Sequence, residues 1–464
     1  MKYPEIENLN YRPFGGARAM DTGGGGTVGS QFDDAGRITV SNPGAEHEET
    51  FTYDNNGNLT SITAPSLPYH NRVYNYDALD RLEHAEGPWG IIDYTYDDVG
   101  NRQTKTVDGV TETYAYVTGT NIIESVTNGE STNYIHDANG NITGINNKIL
   151  IYNQNNRLIR VEEDSATLGE YTYNGLGQRI IKEADGNTTI FHYDFDGNII
   201  GESDATGTFS KEYLYRGSNR LALVDYSTES NGEIYFFGND MLGTPLILTD
   251  TTNTVVWEAI YKPFGEAEAN PNSTVKCNFR FKGQYYDSET GFHYNYHRYY
   301  DPSTGRYLRS DSIGLAGGIN LFAYSGNNPI NGIDPNGLEF LIIGKGDFFL
   351  LGKTPWFYRI SILRKFSRIP FPKGLPKETP VNPKRFFPER SPDFHRDLGG
   401  PPDDLWWQQD PFPRTLKPYN PNKPIIPYSI KNESIHSKPK ACDPCEGTKK
   451  DKIRWEEIPE WMKA

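Results

Sequence analysis

Residues 52–62 read TYDNNGNLTSI. The Thr, Tyr, Leu and Ile positions favour pleated, half-buried strands, while Asn-Asn-Gly-Asn supplies the left-handed backbone positions of a tight turn, so the segment predicts a β-hairpin. A lone hairpin buries too little to be stable, and this chain repeats it. The strings QFDDAGRIT, NYDALDRLE, TYDDVGNRQ, IHDANGNIT, IYNQNNRLI, TYNGLGQRI, HYDFDGNII and LYRGSNRLA share one pattern. It runs from an aromatic or apolar residue through Asp or Asn and a Gly or Asn turn to a polar and an aliphatic residue. The anchors fall at Phe32, Tyr53, Tyr76, Tyr96, Ile135, Tyr152, Tyr173, Tyr193 and Tyr215, with steps of 21, 23, 20, 39, 17, 21, 20 and 22. The 39 spans two periods, with a degenerate unit near Tyr116. No segment of 1–300 carries a convincing helical period, so this body is expected to be almost entirely β, each hairpin pairing chiefly with the next.

The 464 residues carry 46 Lys+Arg against 61 Asp+Glu, a formal charge of -15, but the balance is uneven. Residues 339–464 hold 23 basic and 16 acidic side chains and 19 of the 31 prolines, whereas 28 of the 31 tyrosines lie in 1–338. An acidic, tyrosine-rich body and a basic, proline-rich tail therefore meet near Leu338. Three cysteines, Cys277, Cys442 and Cys445, exclude a disulfide-stapled small scaffold. No stretch approaches the ~20 apolar residues of a spanning helix, and the start, MKYPEIENLNYRPFGG, has no signal-peptide core; the chain reads as soluble, without a membrane span or a signal peptide of its own.

The repeated strings resemble the YD repeats of the Rhs family, related to the YD-shell of teneurins and to the toxin-complex cocoon proteins. Residues 236–266, FFGNDMLGTPLILTDTTNTVVWEAIYKPFGE, are similar to the segment joining repeats to core, and residues 279–338, from FRFKGQYYDSETG to NNPINGIDPNGL, match the Rhs-associated core. The resemblance implies a mostly β fold: a spiral of YD-repeat hairpins forming a partial shell (1–235), a core (236–338), and a variable C-terminal polypeptide (339–464), which in the family is usually a toxin. It further implies secretion or surface display, a role in interbacterial competition, a cognate immunity protein and a secretion apparatus as partners. Family shells are longer, so the sheet here is expected to close only partly or not at all.

Within the core, SDSIG around Asp311 and IDPNG around Asp334 stand 23 positions apart. The resemblance implies that these are the carboxylates of an aspartyl-type peptidase that cuts its own chain once, between Leu338 and Glu339. Two carboxylates held close and shielded from water do not both ionise; the neutral one protonates a leaving amide while the charged one activates water. Gly314 and Gly337 allow close backbone approach. The competing reading is that both aspartates only cap ordinary turns. Ser312 stands where the family has proline, which frees the backbone beside Asp311. Arg306 matches the family's arginine before the first aspartate and is expected to bias the pair towards one ionised member. Cys277 is expected as a buried apolar residue. His293 and His297, read on a strand with Phe292, Tyr294, Tyr296 and Tyr299, are expected to pack among tyrosines about 13 Å apart rather than to bind metal.

In the tail, frequent proline predicts extended, poorly regular chain over 370–428. Positive charge with Trp406, Trp407, Trp455 and Trp461 suits nucleic acid, and Cys442 and Cys445 with His436 have the spacing of a partial metal site, although a free or disulfide-forming turn pair is the reading preferred for them. No Gly-rich phosphate loop opens a helix, and no cofactor is expected. Two functions compete: an Rhs-type polymorphic toxin whose β shell encloses or presents an effector freed by autoproteolysis after Leu338, and a non-enzymatic structural or cell-surface interaction protein with an inert tail.

Overall fold

The computed structural model describes residues 6–11, 17–22, 26–45 and 47–342. The expectations for Cys442, Cys445, His436 and the proline-rich tail lie outside the described residues. Within them, 26 strands from Ile6–Tyr11 to Ala267–Ala269 form one sheet in which each strand pairs antiparallel with the next in sequence. Among the described residues the helical elements are three single 3-10 turns, Pro68–His70, Gly314–Ala316 and Ser325–Asn327, so the mostly-β expectation holds, and no described helix is long and apolar enough to cross a membrane.

The repeat works through two local devices. Its Asp closes the turn from both sides: the Asp54 amide donates to the Asn58 carbonyl (2.9 Å), the Asn58 amide donates to Asp54 Oδ1 (2.8 Å), and Gly57 takes φ 84° to let the chain reverse. Asp97, Asp137 and Asp194 repeat this with Asn101, Asn141 and Asn198. Its Tyr ties most hairpins to the one before; exceptions are the unit with His136 and that of Tyr152, whose hydroxyl has no partner among the described residues. The hydroxyls of Tyr53, Tyr76, Tyr96, Tyr116, Tyr173, Tyr193 and Tyr215 donate to the carbonyls of Ile38, Leu59, Leu82, Arg102, Leu158, Arg179 and Ile199 at 2.6 to 3.0 Å. Each such bond contributes about 1 kcal/mol, and the series adds up along the array. Tyr116 is thus a full member of the series.

One anchor is corrected. Ile135 is 62% exposed, and the residue preceding the turn aspartate Asp137 is His136, so the unit's register sits one residue later. Side chains alternate between faces of a strand, so an offset of one places Ile135 on the solvent side. The inward face is carried two residues before each anchor: Tyr74, Tyr94, Tyr114, Tyr134, Tyr171, Phe191 and Tyr213 are all buried. Many of them pack on core residues such as Phe279, Tyr285, Tyr294 and Tyr299.

The sheet also curls back on itself. A Cβ on Gly238 would lie 2.4 Å from the Pro43 carbonyl oxygen, and His47 Nε2 lies 3.1 Å and His70 Nε2 3.6 Å from Glu258 Oε1. Residues 43–70 therefore meet strands Glu233–Asn239 and Val255–Tyr261, so of the two alternatives, partial closure or none, the sheet takes the first. Right-handed twist accumulated over many strands supplies the curl. The seam is pH-sensitive through His70, whose pKa burial pushes down to about 4, aided by Arg72. A depressed histidine favours the unfolded chain, which binds the proton first, as pH falls from about 6.5 towards 4. His70→Gln is expected to lose less thermal stability than the native sequence between pH 7.5 and 4.5; melting curves at both pH values check this, and equal losses would refute it.

Candidate functional site

The core folds into a small four-stranded sheet, Tyr285–Tyr286, His293–Asn295, Arg298–Asp301 and Arg306–Tyr307, set against the concave tyrosine face. Buried polar groups lock it there. Arg179, fully buried, pairs with Asp287, donating from Nη2 to Oδ1 at 3.0 Å, and donates to the Tyr299 hydroxyl at 2.9 Å. Lys182 Nζ lies 3.2 Å from Asp287 Oδ1 and 3.1 Å from Glu289 Oε2. Asn331 accepts from the Leu59 amide and donates to the Tyr76 hydroxyl. A buried charge is tolerated only when paired, and these pairs cross from repeat to core.

Asp311 and Asp334 are brought together at one end of this small sheet, both buried, with Arg298 between them. Arg298 Nη2 lies 3.0 Å from Asp311 Oδ2 and 3.2 Å from Asp334 Oδ2. Its Nε donates to the Gly337 carbonyl, its Nη1 to the Leu321 carbonyl at 3.1 Å, and its guanidinium carbon sits 3.6 Å from the centroid of the Tyr307 ring. Asp334 Oδ2 also accepts from the Tyr307 hydroxyl at 2.7 Å, and its Oδ1 accepts the amides of Gly337 (2.9 Å) and Leu338 (3.0 Å). Asp311 Oδ1 accepts the Ile313 amide at 3.0 Å. Its own amide donates to the Leu321 carbonyl at 3.0 Å, and the Gly314 amide donates to the Asp311 carbonyl, so the turn is pinned although Ser312 lacks proline's ring. Gly314 and Gly337 both take left-handed φ, 59° and 76°. Gly317 lies between the first aspartate and the end of the core: a Cβ there would sit 2.4 Å from Asp311 Oδ2 and 3.1 Å from the Leu338 carbonyl oxygen. Immediately beyond, Leu341–Ile342 pairs with Gly332–Ile333.

Burial raises the pKa of Asp311; Arg298 lowers it, and the Asp334 charge raises it again. Burial and the neighbouring Asp334 hold the Tyr307 hydroxyl far above its ordinary range, so it is a permanent donor. Two buried carboxyl groups beside a peptide group, with a fixed cation between them, are an arrangement suited to proton exchange with an amide.

Arg306 is not the arginine of this cluster. Its guanidinium donates to the Asn121 carbonyl and lies over the rings of Tyr116 and Phe322 at 5.0 and 5.5 Å. Strand pairing decides this: Arg306 faces Asp301 across the ladder, whereas Arg298 opens the preceding strand and points to the other end of the small sheet. A cation in the tyrosine-rich stretch Tyr294–Tyr300 was the available signal for Arg298, since a charge among buried rings needs carboxylate partners. His293 is buried, its Nδ1 2.7 Å from Gln284 Oε1, between the rings of Tyr286 and Tyr300. The strand ends at Asn295, and Tyr296, at φ 52°, turns His297 away, so the two histidines do not share one strand. Cys277 is a buried free thiol in the core cluster.

Comparison with known proteins agrees with this architecture. The chain is 30% identical over 286 residues to the tRNA nuclease WapA of Bacillus subtilis, covering 58% of this chain and 12% of that protein. It is 28% identical over 363 residues to the double-stranded DNA deaminase toxin A of Burkholderia cenocepacia, covering 67% and 24%. It is 41% identical over 115 residues to the toxin protein Tse5 of Pseudomonas aeruginosa, covering 25% and 9%. The chain thus spans at most about a quarter of these relatives. The crystal structure of TcdB2-TccC3 superposes with a TM-score of 0.55 over 72% of this chain and 20% of that one, at 19% identity, which speaks for the fold. With the Teneurin YD-shell pattern matched over residues 37–330, the chain belongs to the Teneurin YD-shell family.

Proposed function

We propose that this chain is the shell-and-tail portion of an Rhs-type toxin that hydrolyses its own Leu338–Glu339 bond and so separates residues 339–464, the effector, from the β body. In this reading 1–235 is the repeat shell and 236–338 the core that carries the peptidase chemistry. The observation that carries it is the placing of both carboxylates near the expected cut: Asp334 Oδ1 accepts the Leu338 amide, and Asp311 Oδ2 and the Leu338 carbonyl oxygen both border Gly317. The reaction is general acid-base hydrolysis, with Arg298 keeping one carboxyl ionised and holding the Gly337 carbonyl.

The relatives support an effector role for the tail indirectly. Proteins with a similar body are named for different activities, a tRNA nuclease and a DNA deaminase, so the body does not set the target. Nucleic acid is the target class that the tail's charge and tryptophans suit; export and a cognate immunity protein follow from the toxin reading. Expression of the full chain is expected to give two fragments, ending at Leu338 and beginning at Glu339 by intact mass. The double variant Asp311→Asn with Asp334→Asn is expected to stay whole. A native chain that folds and remains uncut would favour the structural reading instead.

A further inference from the structure

One repeat unit lacks both devices that hold the others. Arg37 and Arg81 close their turns on the carboxylates of Asp33 and Asp77, at 2.7 and 2.6 Å. The unit IYNQNNRLI has the neutral Asn153 at that place. Its Oδ1 accepts the Arg157 amide at 3.1 Å, while the Arg157 guanidinium donates to the Gly177 carbonyl and makes no ion pair among the described residues. The same unit carries Tyr152. Of the anchor tyrosines from Tyr53 to Tyr215 it is the one whose buried hydroxyl has no hydrogen-bond partner among the described residues.

Both groups border one cavity between this unit and the core, about 10 Å³ in volume, room for about one water-sized particle. From the core come His297, Arg298 and Arg309. Arg298 is committed to Asp311 and Asp334. Arg309 donates from Nη2 to the His297 carbonyl at 3.0 Å, and its buried Nε has no partner among the described residues. Burial, then Arg157, Arg309 and Arg298, push the His297 pKa down to about 4, so it adds no charge at pH 7. Burial holds the Tyr152 hydroxyl far above its ordinary range, so it stays a donor. The carboxylates whose charge reaches the site, Asp137 and Asp311, are already bonded to Asn141 and Arg298. Buried donors and like charges gathered without a counter-charge are costly, and a bound ion is one resolution.

We propose that this cavity is a halide site that takes one chloride ion between the Tyr152 hydroxyl and the guanidinium groups of Arg157 and Arg309. The ligand is an anion because the unpartnered groups at the wall are donors and two of them are cationic. It is monatomic because the cavity holds about one water-sized particle, too little for phosphate or sulfate. One chloride replaces both missing devices, as the counter-charge that Asp33 and Asp77 supply elsewhere and as the acceptor for the tyrosine. It fastens strands Lys148–Tyr152 and Leu158–Glu163 to the 297–309 edge of the core.

The test is thermal unfolding of the β body in the full chain at pH 7, which reads the same whether or not the chain cuts itself. Sodium chloride replaces sodium gluconate up to about 0.2 M at constant ionic strength. The native melting temperature is expected to rise by about 2–4 °C and to saturate, with bromide substituting for chloride. Three variants, each checked for folding by circular dichroism, are expected to lose this rise: Tyr152→Phe, Arg157→Gln and Asn153→Asp. Asn153→Asp gives Arg157 the carboxylate that its counterparts have, so it is expected to melt above the native chain in gluconate. Tyr152→Phe, freed of an unpaired buried hydroxyl, is expected to melt no lower than the native chain in gluconate and below it in chloride. Sulfate, acting only as a general salt, is expected to move native and variant proteins alike. Coincident native curves in chloride and gluconate would mean that water fills the cavity, and would overturn the proposal. A chloride-specific rise that survives in Tyr152→Phe and Asn153→Asp would place the anion elsewhere and overturn it too.

Discussion

Arg179→Leu is expected to cost about 3–5 kcal/mol of folding stability, the range for removing one partner of a buried ion pair. The guanidinium is fully buried, bonded to Asp287 and the Tyr299 hydroxyl, and ringed by Tyr171, Phe191 and Tyr294 with centroids 4.4 to 5.1 Å away. Its loss leaves the Asp287 charge inside the protein, with Lys182 at 3.2 Å as partial compensation. Against the roughly 5–15 kcal/mol that a domain possesses, this one change removes a large share. The double variant Arg179→Leu with Asp287→Leu is expected to recover most of the loss, because the cost lies in the stranded charge. Urea unfolding of the three proteins measures both. A single variant within 1 kcal/mol of the native protein would show that core and repeat are held by apolar packing instead.

Arg298→Leu is expected to abolish self-cleavage, by more than about 10²-fold, and also to destabilise the core by about 3 kcal/mol or more at neutral pH. Without the cation, Asp311 and Asp334 face each other buried and unscreened, and one must take up a proton. The sign of the pH effect follows: a carboxyl left with a raised pKa destabilises the fold in full above that raised value, and the penalty shrinks as the pH falls from it towards the unfolded value of about 4. The stability gap to the native protein is therefore expected to narrow between pH 7 and pH 5. A gap independent of pH would place the damage in lost packing on the Tyr307 ring, which the guanidinium covers at 3.6 Å.

The hairpin array was legible because its information is local. Tyr, Asp and Gly within six residues specify a turn, and repetition in phase makes the reading robust; it slipped by one residue only at Ile135 and His136, where an apolar neighbour imitated the anchor. What stayed hidden depends on pairings across long stretches of chain. Glu258 meets His47 across 211 positions, so nothing near either residue announces the seam. The aspartates Asp311 and Asp334 were found through their turn motifs and the family resemblance. Arg298 was missed because the family resemblance pointed to Arg306, whereas the hairpin around Tyr296 carries Arg298 to the carboxylates and leaves Arg306 at the opposite end. The filling of all four acceptor sites of Asp334, by groups from Arg298 to Leu338, is visible only once the turn has closed.

The bonded anchor-tyrosine hydroxyls all reach backward, to carbonyls 14 to 17 residues nearer the N-terminus. A hairpin emerging from the ribosome can therefore fasten at once to chain already made, and nothing it needs for that bond is still to be translated. Growth then proceeds in one direction, at the newest strand. Asp334, the last-made member of the cluster, arrives only after the curled body exists to receive it. Synthesis order itself acts as a timer: a nascent chain cannot bring Asp311 and Asp334 together until the curled sheet that receives them has been built.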